Sequence, residues 1–245
     1  MNQMFVYDGT VEGLFSAMDH VLKSRTPSPR FTISADDAGL FDEVFYHVTD
    51  FISAKDLYLR IETKINRESL KNIFYCYLSC SYEKEQIIFD YINSGFEFGN
   101  KLDRRLAMYP VNEMNKLVSR VKLESHRMLG LVRFSSVEED TFYAEIEPDN
   151  DILPLISGHF SRRMPGEKWI IHDKKRGTAA INQNGRPEIL RIELDRLPDC
   201  DPCEDIYSGL WKNFYNSIAI KERTNLRLQK QFMPVRYWKH LVEKS

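Results

Sequence analysis

The chain of 245 residues carries 34 basic and 36 acidic side chains, 42% hydrophobic residues and 11 glycines, which excludes disordered, collagen-like and mucin-like chains. The length suits one large domain or two closely joined ones, enough to bury a continuous core. The formal charge of -2 gives no global attraction to polyanions, and no apolar run approaches the roughly 18 residues of a membrane helix. Met1-Asn2-Gln3-Met4 lacks the basic start of a signal peptide, so a soluble, cytoplasmic protein with no membrane partner is expected.

In chain order, Met4-Phe5-Val6-Tyr7 reads as a short strand ending at Asp8-Gly9, and Thr10 can cap a helix carrying Leu14, Phe15, Met18, Val21 and Leu22. Pro27 and Pro29 mark a loop, and Val44-Phe45-Tyr46-His47-Val48 repeats the order of strand, turn and helix. From Phe51 to Leu129 the apolar spacing is helical, as in Leu57, Ile61 and Ile65 or Val111, Met114, Leu117, Val118 and Val121. Gly95, Gly99 and Pro110 interrupt it, with Pro110 placed for the first turn of the last helix.

After Gly130 the pattern changes. Leu131–Phe134 and Thr141–Ile146 alternate as the strands of a hairpin around Glu138-Glu139-Asp140. A short helix is predicted over Asp151–Arg163, then strands at Trp169–His172, Gly177–Asn182 and Glu188–Leu194, the last two paired antiparallel through Asn182-Gln183-Asn184-Gly185. A last helical stretch begins near Glu204. The fold class is α+β: a helical layer (about 50–130), an antiparallel sheet (about 131–195) and a basic C-terminal helical segment. With no long linker or repeat, residues 1–245 are expected to form one domain, divisible into a helical part (1–130) and a sheet-plus-helix part (131–245).

The near-zero total charge conceals segregation. Residues 136–151 hold seven acids and no Lys or Arg, whereas residues 212–245 carry a net charge of +6. Residues 101–133 and 162–176 are also basic. Brought together, these stretches would form a face that neutralises phosphates, built from Lys174, Lys175, Arg176, Arg223, Arg227, Arg236 and Lys239, with Tyr237 and Trp238 as rings for base stacking. The alternative is that the bases are solvated or pair with the acidic hairpin.

Among candidate catalytic groups, His159 and Arg162 share a helical face, and Asp173 at a strand end can orient either one. The alternative assigns His159 to its helix end and Asp173 to its turn. There is no Gly-x-Ser-x-Gly elbow, no Walker loop, no Gly-x-Gly-x-x-Gly and no three-cysteine radical S-adenosylmethionine signature. Gly9-Thr10 with Gly13 hints at tight packing or anion contact at a helix start. Cys76 with Cys80 and Cys200 with Cys203 have spacings compatible with one zinc, but Cys76 and Cys80 lie in an aromatic run that suits buried thiols, so no metal or cofactor is assigned.

Phe5-Val6-Tyr7-Asp8-Gly9-Thr10-Val11-Glu12-Gly13-Leu14, His159-Phe160-Ser161-Arg162-Arg163, Trp169-Ile170-Ile171-His172-Asp173, Arg223-Thr224-Asn225 and Met233-Pro234-Val235-Arg236-Tyr237-Trp238-Lys239 occur in a characteristic order and spacing. In these the chain resembles a bacterial family described as DNA metabolism or DNA repair proteins of unknown molecular function. Members of that family are encoded beside a radical S-adenosylmethionine protein or fused ahead of a uracil-DNA glycosylase-like domain. Ending at Ser245, just past the Tyr-Trp-Lys motif, the chain resembles the stand-alone form. The resemblance implies DNA and the radical protein as partners. Three functions follow as expectations: an accessory module binding DNA or the radical protein through a basic face, an enzyme acting on a nucleotide or damaged DNA through His159, Arg162 and Asp173, or a purely protein-binding subunit.

Overall fold

The computed structural model describes residues 3–137, 141–192, 210–212 and 225–244. The chain divides into two compact units, Met1–Lys122 and Leu123–Ser245, and the α+β class holds for the molecule.

In the first unit, β1 (Gln3–Val6), β2 (Pro29–Thr32) and β3 (Glu43–Tyr46) form a parallel sheet in the order β2-β1-β3. Helix α1 (Val11–Ser24) links β1 to β2, and the Thr10 hydroxyl caps it by accepting from Gly13 N. Helices α2 (Phe51–Lys64), α3 (Arg67–Tyr77) and α4 (Lys84–Phe98) follow, and α5 (Tyr109–Leu131) begins in this unit, with Pro110 in its first turn as predicted. Leu14, Met18, Leu57, Ile61, Ile73, Ile88, Ile92 and Met114 are buried together, so the apolar stripes read from the sequence are the core faces of these helices. Pro29 corrects one expectation. It opens β2 instead of lying in a loop, because the first residue of an edge strand tolerates a missing N–H.

Gly13 resolves another. A Cβ there would lie 2.1 Å from Asp8 Oδ1 and 2.9 Å from Thr49 Oγ1, so the glycine serves close packing at the helix start. Asp8 accepts from Thr10 N at 2.9 Å and from Thr49 Oγ1 at 2.7 Å, which ties the ends of β1 and β3 together.

In the second unit, β4 (Ser135–Ser136), β5 (Thr141–Ile146), β6 (Lys168–Asp173), β7 (Thr178–Gln183) and β8 (Arg186–Arg191) form one sheet in chain order. The expected antiparallel sheet is in fact mixed: β5 and β6 are parallel, and the other pairs are antiparallel. Helix α6 (Leu153–Arg163) lies between β5 and β6 in the chain and carries it back to the starting end, which makes the next strand parallel. The Asn184-Gly185 turn between β7 and β8 has φ values of +59° and +78°, as a tight hairpin requires. Leu131–Phe134 is not a strand. Helix α5 continues to Leu131, Val132 N still bonds to Met128 O, and only Ser135–Ser136 pair with β5.

The described C-terminal segment comprises α7 (Leu226–Phe232) and two 3-10 turns, Val235–His240 and Val242–Lys244. Most of the helix expected from Glu204, together with Arg223, Cys200 and Cys203, lies outside the described residues. No helix among the described residues is long and apolar enough to cross a membrane.

Candidate functional site

Because β5 and β6 are parallel, Ile146 and Asp173 end at one edge of the sheet, where Lys174 N bonds to Ile146 O at 3.1 Å. The acidic run from Glu145 to Asp149 and the basic turn Lys174-Lys175-Arg176 therefore meet, and the turn Val235–His240 packs against β5 beside them. The charges pair. Lys174 meets Glu145 at 3.2 Å, Lys175 meets Asp149 at 3.7 Å, and Lys239 meets Glu147 at 2.6 Å. Arg176 donates to Asp173 at 2.7 Å and to the Pro148 carbonyl at 3.2 Å.

At the centre is Glu124 of α5, only 4% exposed. Its carboxylate accepts from Asp149 N at 2.9 Å, Asn150 N at 2.8 Å, Asn150 Nδ2 at 2.6 Å, Arg236 Nη2 at 3.1 Å and the Tyr237 hydroxyl. Burial pushes this carboxyl up, but the hydrogen bonds from Tyr237, Asn150 and Asp149 outweigh it and hold the group below the usual glutamate range. Arg236 reaches on to Asp149 at 2.8 Å. Tyr237, 2% exposed, fills a core position, and its phenol is pushed up by burial and by the Glu124 bond.

The predicted nucleic-acid residues thus fall into distinct sets. Lys174, Lys175, Arg176, Arg236 and Lys239 are engaged by carboxylates of the same unit, and Tyr237 is an internal anchor with no face for a base. Trp238 donates its indole N–H to Met233 O at 2.9 Å, and the Lys244 ammonium sits 4.8 Å from its ring centre. Arg227 is exposed on α7, and Arg223 lies outside the described residues.

The candidate catalytic groups are not joined by any hydrogen bond or ion pair among the described residues. Asp173 is fully buried and occupied by Arg176 and Lys175 N, His159 lies edge-on against Phe160 at 5.2 Å, and Arg162 is exposed. His172, beside Asp173, bonds to the Tyr143 hydroxyl through Nδ1 at 2.8 Å, and burial lowers its affinity for a proton. Cys76 is buried and its thiol is pushed up to about 12 by that burial, while Cys80 is exposed beyond the end of α3. No cluster suited to a metal ion occurs among the described residues.

Glu124 was not singled out from the sequence, although a signal exists. Val111, Met114, Val118 and Val121 form the apolar stripe of α5, Met128 resumes it, and Glu124 occupies the intervening position. A carboxylate on a buried stripe requires donors from elsewhere in the fold.

A second surface, in the first unit, is apolar and largely exposed. Strand β3 is at the edge of its sheet and is mostly exposed. Along it and around its ends stand Leu40 (93% exposed), Phe41, Tyr46, Val48 (86%), Phe51 and Ile52 (82%), with Ile33 beyond the end of β2. Residues 33–52 contain neither Lys nor Arg, and although Asp42 is taken up by Arg30 from β2 at 3.0 Å, Asp36, Asp37, Glu43 and Asp50 are exposed, so the apolar strip has an acidic rim. Scattered exposed apolar residues are ordinary, but here several cluster along a strand edge that pairs with no other strand among the described residues.

No curated protein and no solved structure matches the chain. Residues 82–243, well over half of the sequence and including all of the ionic network, match the family described as a domain of unknown function, DUF4130, and the chain belongs to that family.

Proposed function

We propose that this chain is an accessory subunit of DNA metabolism that works by docking onto a protein partner through β3 and the apolar residues around it. The observation that carries this reading is the exposed strip Leu40, Phe41, Tyr46, Val48, Phe51 and Ile52 on an edge strand whose outer backbone groups pair with no strand among the described residues. The occupant is a protein presenting an apolar strand flanked by Lys and Arg, which would extend the sheet by main-chain hydrogen bonds and meet the acidic rim. The same rim disfavours a second copy of this strip and disfavours a polyanion. The resemblance to the DNA metabolism family nominates the radical S-adenosylmethionine protein as the partner. The test is titration of that protein with the full chain by calorimetry. Tight binding that falls at least tenfold in Phe41→Asp and Val48→Asp, with unchanged melting, supports the reading; undetectable binding, or binding indifferent to both changes, refutes it.

A second reading, contact with DNA, rests on a different set of bases from the tail. Arg162, Arg163, Lys168 and Arg186 are exposed and pair with no carboxylate among the described residues. Helix α6 leads directly into β6 at this end, and Lys168 and Arg186 open their strands there, so the four lie at the end of the sheet opposite the ionic network. Salt-dependent DNA binding that weakens when these four are neutralised, and not when Arg236 and Lys239 are, supports this reading. The enzymatic reading through His159, Arg162 and Asp173 has less support, because Asp173 already serves Arg176.

A further inference from the structure

The second unit contains a cavity of about 500 Å³, within the range of roughly 300–1,000 Å³ typical of small-molecule sites. Its walls include the rings of Phe134, Phe160 and Trp211 and the thioether of Met164, with Arg133 and Arg163 as its charged lining and no carboxylate among the described residues.

The aromatic wall is braced. Phe134 and Phe160 meet edge to face at 5.4 Å, and both abut the buried ring of Trp169, at 6.3 and 6.4 Å. Trp211 donates its indole N–H to Glu243 at 3.1 Å, and Arg133 holds Glu243 through two bonds of 3.2 and 2.6 Å while its guanidinium stands 5.6 Å from the Trp211 ring centre. Arg133 also donates to the Gly130 and Val132 carbonyls, at 2.7 and 3.2 Å, so its donors are committed to holding the wall. Arg163 is different: it is exposed and has no carboxylate partner among the described residues.

Flat rings prefer aromatic and apolar walls, and an uncommitted guanidinium is a fork for phosphate oxygens. We infer that this cavity is a binding site for a nucleoside phosphate, with the base among Phe134, Phe160 and Trp211 and the phosphate on Arg163. Arg162, Lys168 and Arg186 lie at the same end of the sheet and would carry the neighbouring phosphates if the base belongs to a strand. The inference deepens the DNA reading and is independent of the protein-docking one. Two sources share this chemistry: a free mononucleotide and a base exposed in single-stranded nucleic acid.

Gly130 provides a clean probe. It lines the cavity, and a Cβ added there meets nothing within 4 Å, so Gly130→Leu adds apolar bulk to the cavity wall from a position with open space at its Cβ. The full chain, Gly130→Leu and Arg163→Gln are titrated calorimetrically with the four deoxynucleoside monophosphates, the matching nucleosides and a short single-stranded oligodeoxynucleotide, with melting curves as a check on folding. The expected result is binding of at least one monophosphate, about tenfold weaker binding of its nucleoside, and about tenfold weaker binding of the monophosphate by each variant. A response of the monophosphates assigns the free nucleotide as a ligand; a response confined to the oligonucleotide, weakened by both variants, assigns the exposed base. Oligonucleotide binding that is weakened by Arg163→Gln but unchanged in Gly130→Leu, with no mononucleotide binding, overturns the cavity assignment and leaves the DNA reading standing, whereas binding unchanged in both variants overturns both. Absence of all binding overturns both, and equal binding of nucleoside and nucleotide overturns the role of Arg163. Should Gly130→Leu fail to fold, mononucleotide binding and its loss in Arg163→Gln decide: a monophosphate that binds and is weakened by that variant supports the cavity, and no mononucleotide binding overturns it.

Discussion

The charged end of the second unit and the apolar edge of the first invert what their compositions suggest. The bases at Lys174–Arg176, Arg236 and Lys239 look like a grip for phosphates, yet the fold brings to each a carboxylate from its own unit. The Val44–Val48 run looks like an interior strand, of the kind a parallel sheet normally covers on both faces, yet Tyr46 and Val48 stand in solvent. Charge can be neutralised at long range in sequence by groups of the same chain, so a basic stretch alone is weak support for a polyanion partner. An apolar strip that the finished fold leaves uncovered has no such internal remedy, and it is the stronger sign of a partner.

The contrast can be broken by removing each side's central group. The largest effect is expected for Glu124→Ala, which strands the Tyr237 hydroxyl, the Asn150 amide and two backbone donors; a loss of about 3 kcal/mol in denaturant unfolding is expected. No change would show that the network is not structural.

Acid should act on the same region in two steps. Burial holds His172 and His240 below the ordinary histidine value, so the unfolded chain takes protons that the fold does not, and stability is lost as pH falls below about 6.5. The lowered carboxyls of Glu124, Glu147 and Glu243 add a second loss below about pH 4.5. Melting temperature followed from pH 8 downward measures both, and a rise on acidification would contradict the sign.

Tyr237→Phe keeps the buried ring and removes one donor to Glu124, an expected loss of about 1–2 kcal/mol. Lys239→Gln breaks a largely exposed pair and should cost no more than about 1 kcal/mol while leaving the salt dependence of DNA binding unchanged. A salt slope that falls by about one in this variant would return the tail to the phosphate-binding face. Smallest of all, Val48→Ser should change stability by no more than about 0.5 kcal/mol, since the side chain is already in solvent, and should still weaken partner binding.

What the sequence reveals follows from the range of the forces involved. Helices α2 to α5 are legible because their apolar stripes repeat at helical spacing, and the β7–β8 hairpin is legible because Asn184-Gly185 suits a tight turn. Strand β2 is hidden by Pro29, whose usual meaning is reversed at a strand's first position on a sheet edge. The parallel pairing of β5 and β6 depends on how α6 crosses the sheet, which no local pattern encodes. At the charged end, the residue types and their segregation are readable, but the pairing of Arg236 with Glu124 spans 112 positions and that of Lys239 with Glu147 spans 92. The cavity beside Arg163 is likewise assembled from α5, α6 and residues 211 and 242, so only its separate pieces are visible in the chain.

Hydrogen–deuterium exchange of the full chain, with and without the radical S-adenosylmethionine protein, tests the central contrast most directly. The account predicts new amide protection over residues 40–52, with residues 174–176 and 236–239 unchanged. Protection confined to the charged residues, with β3 exchanging as freely as before, would contradict it.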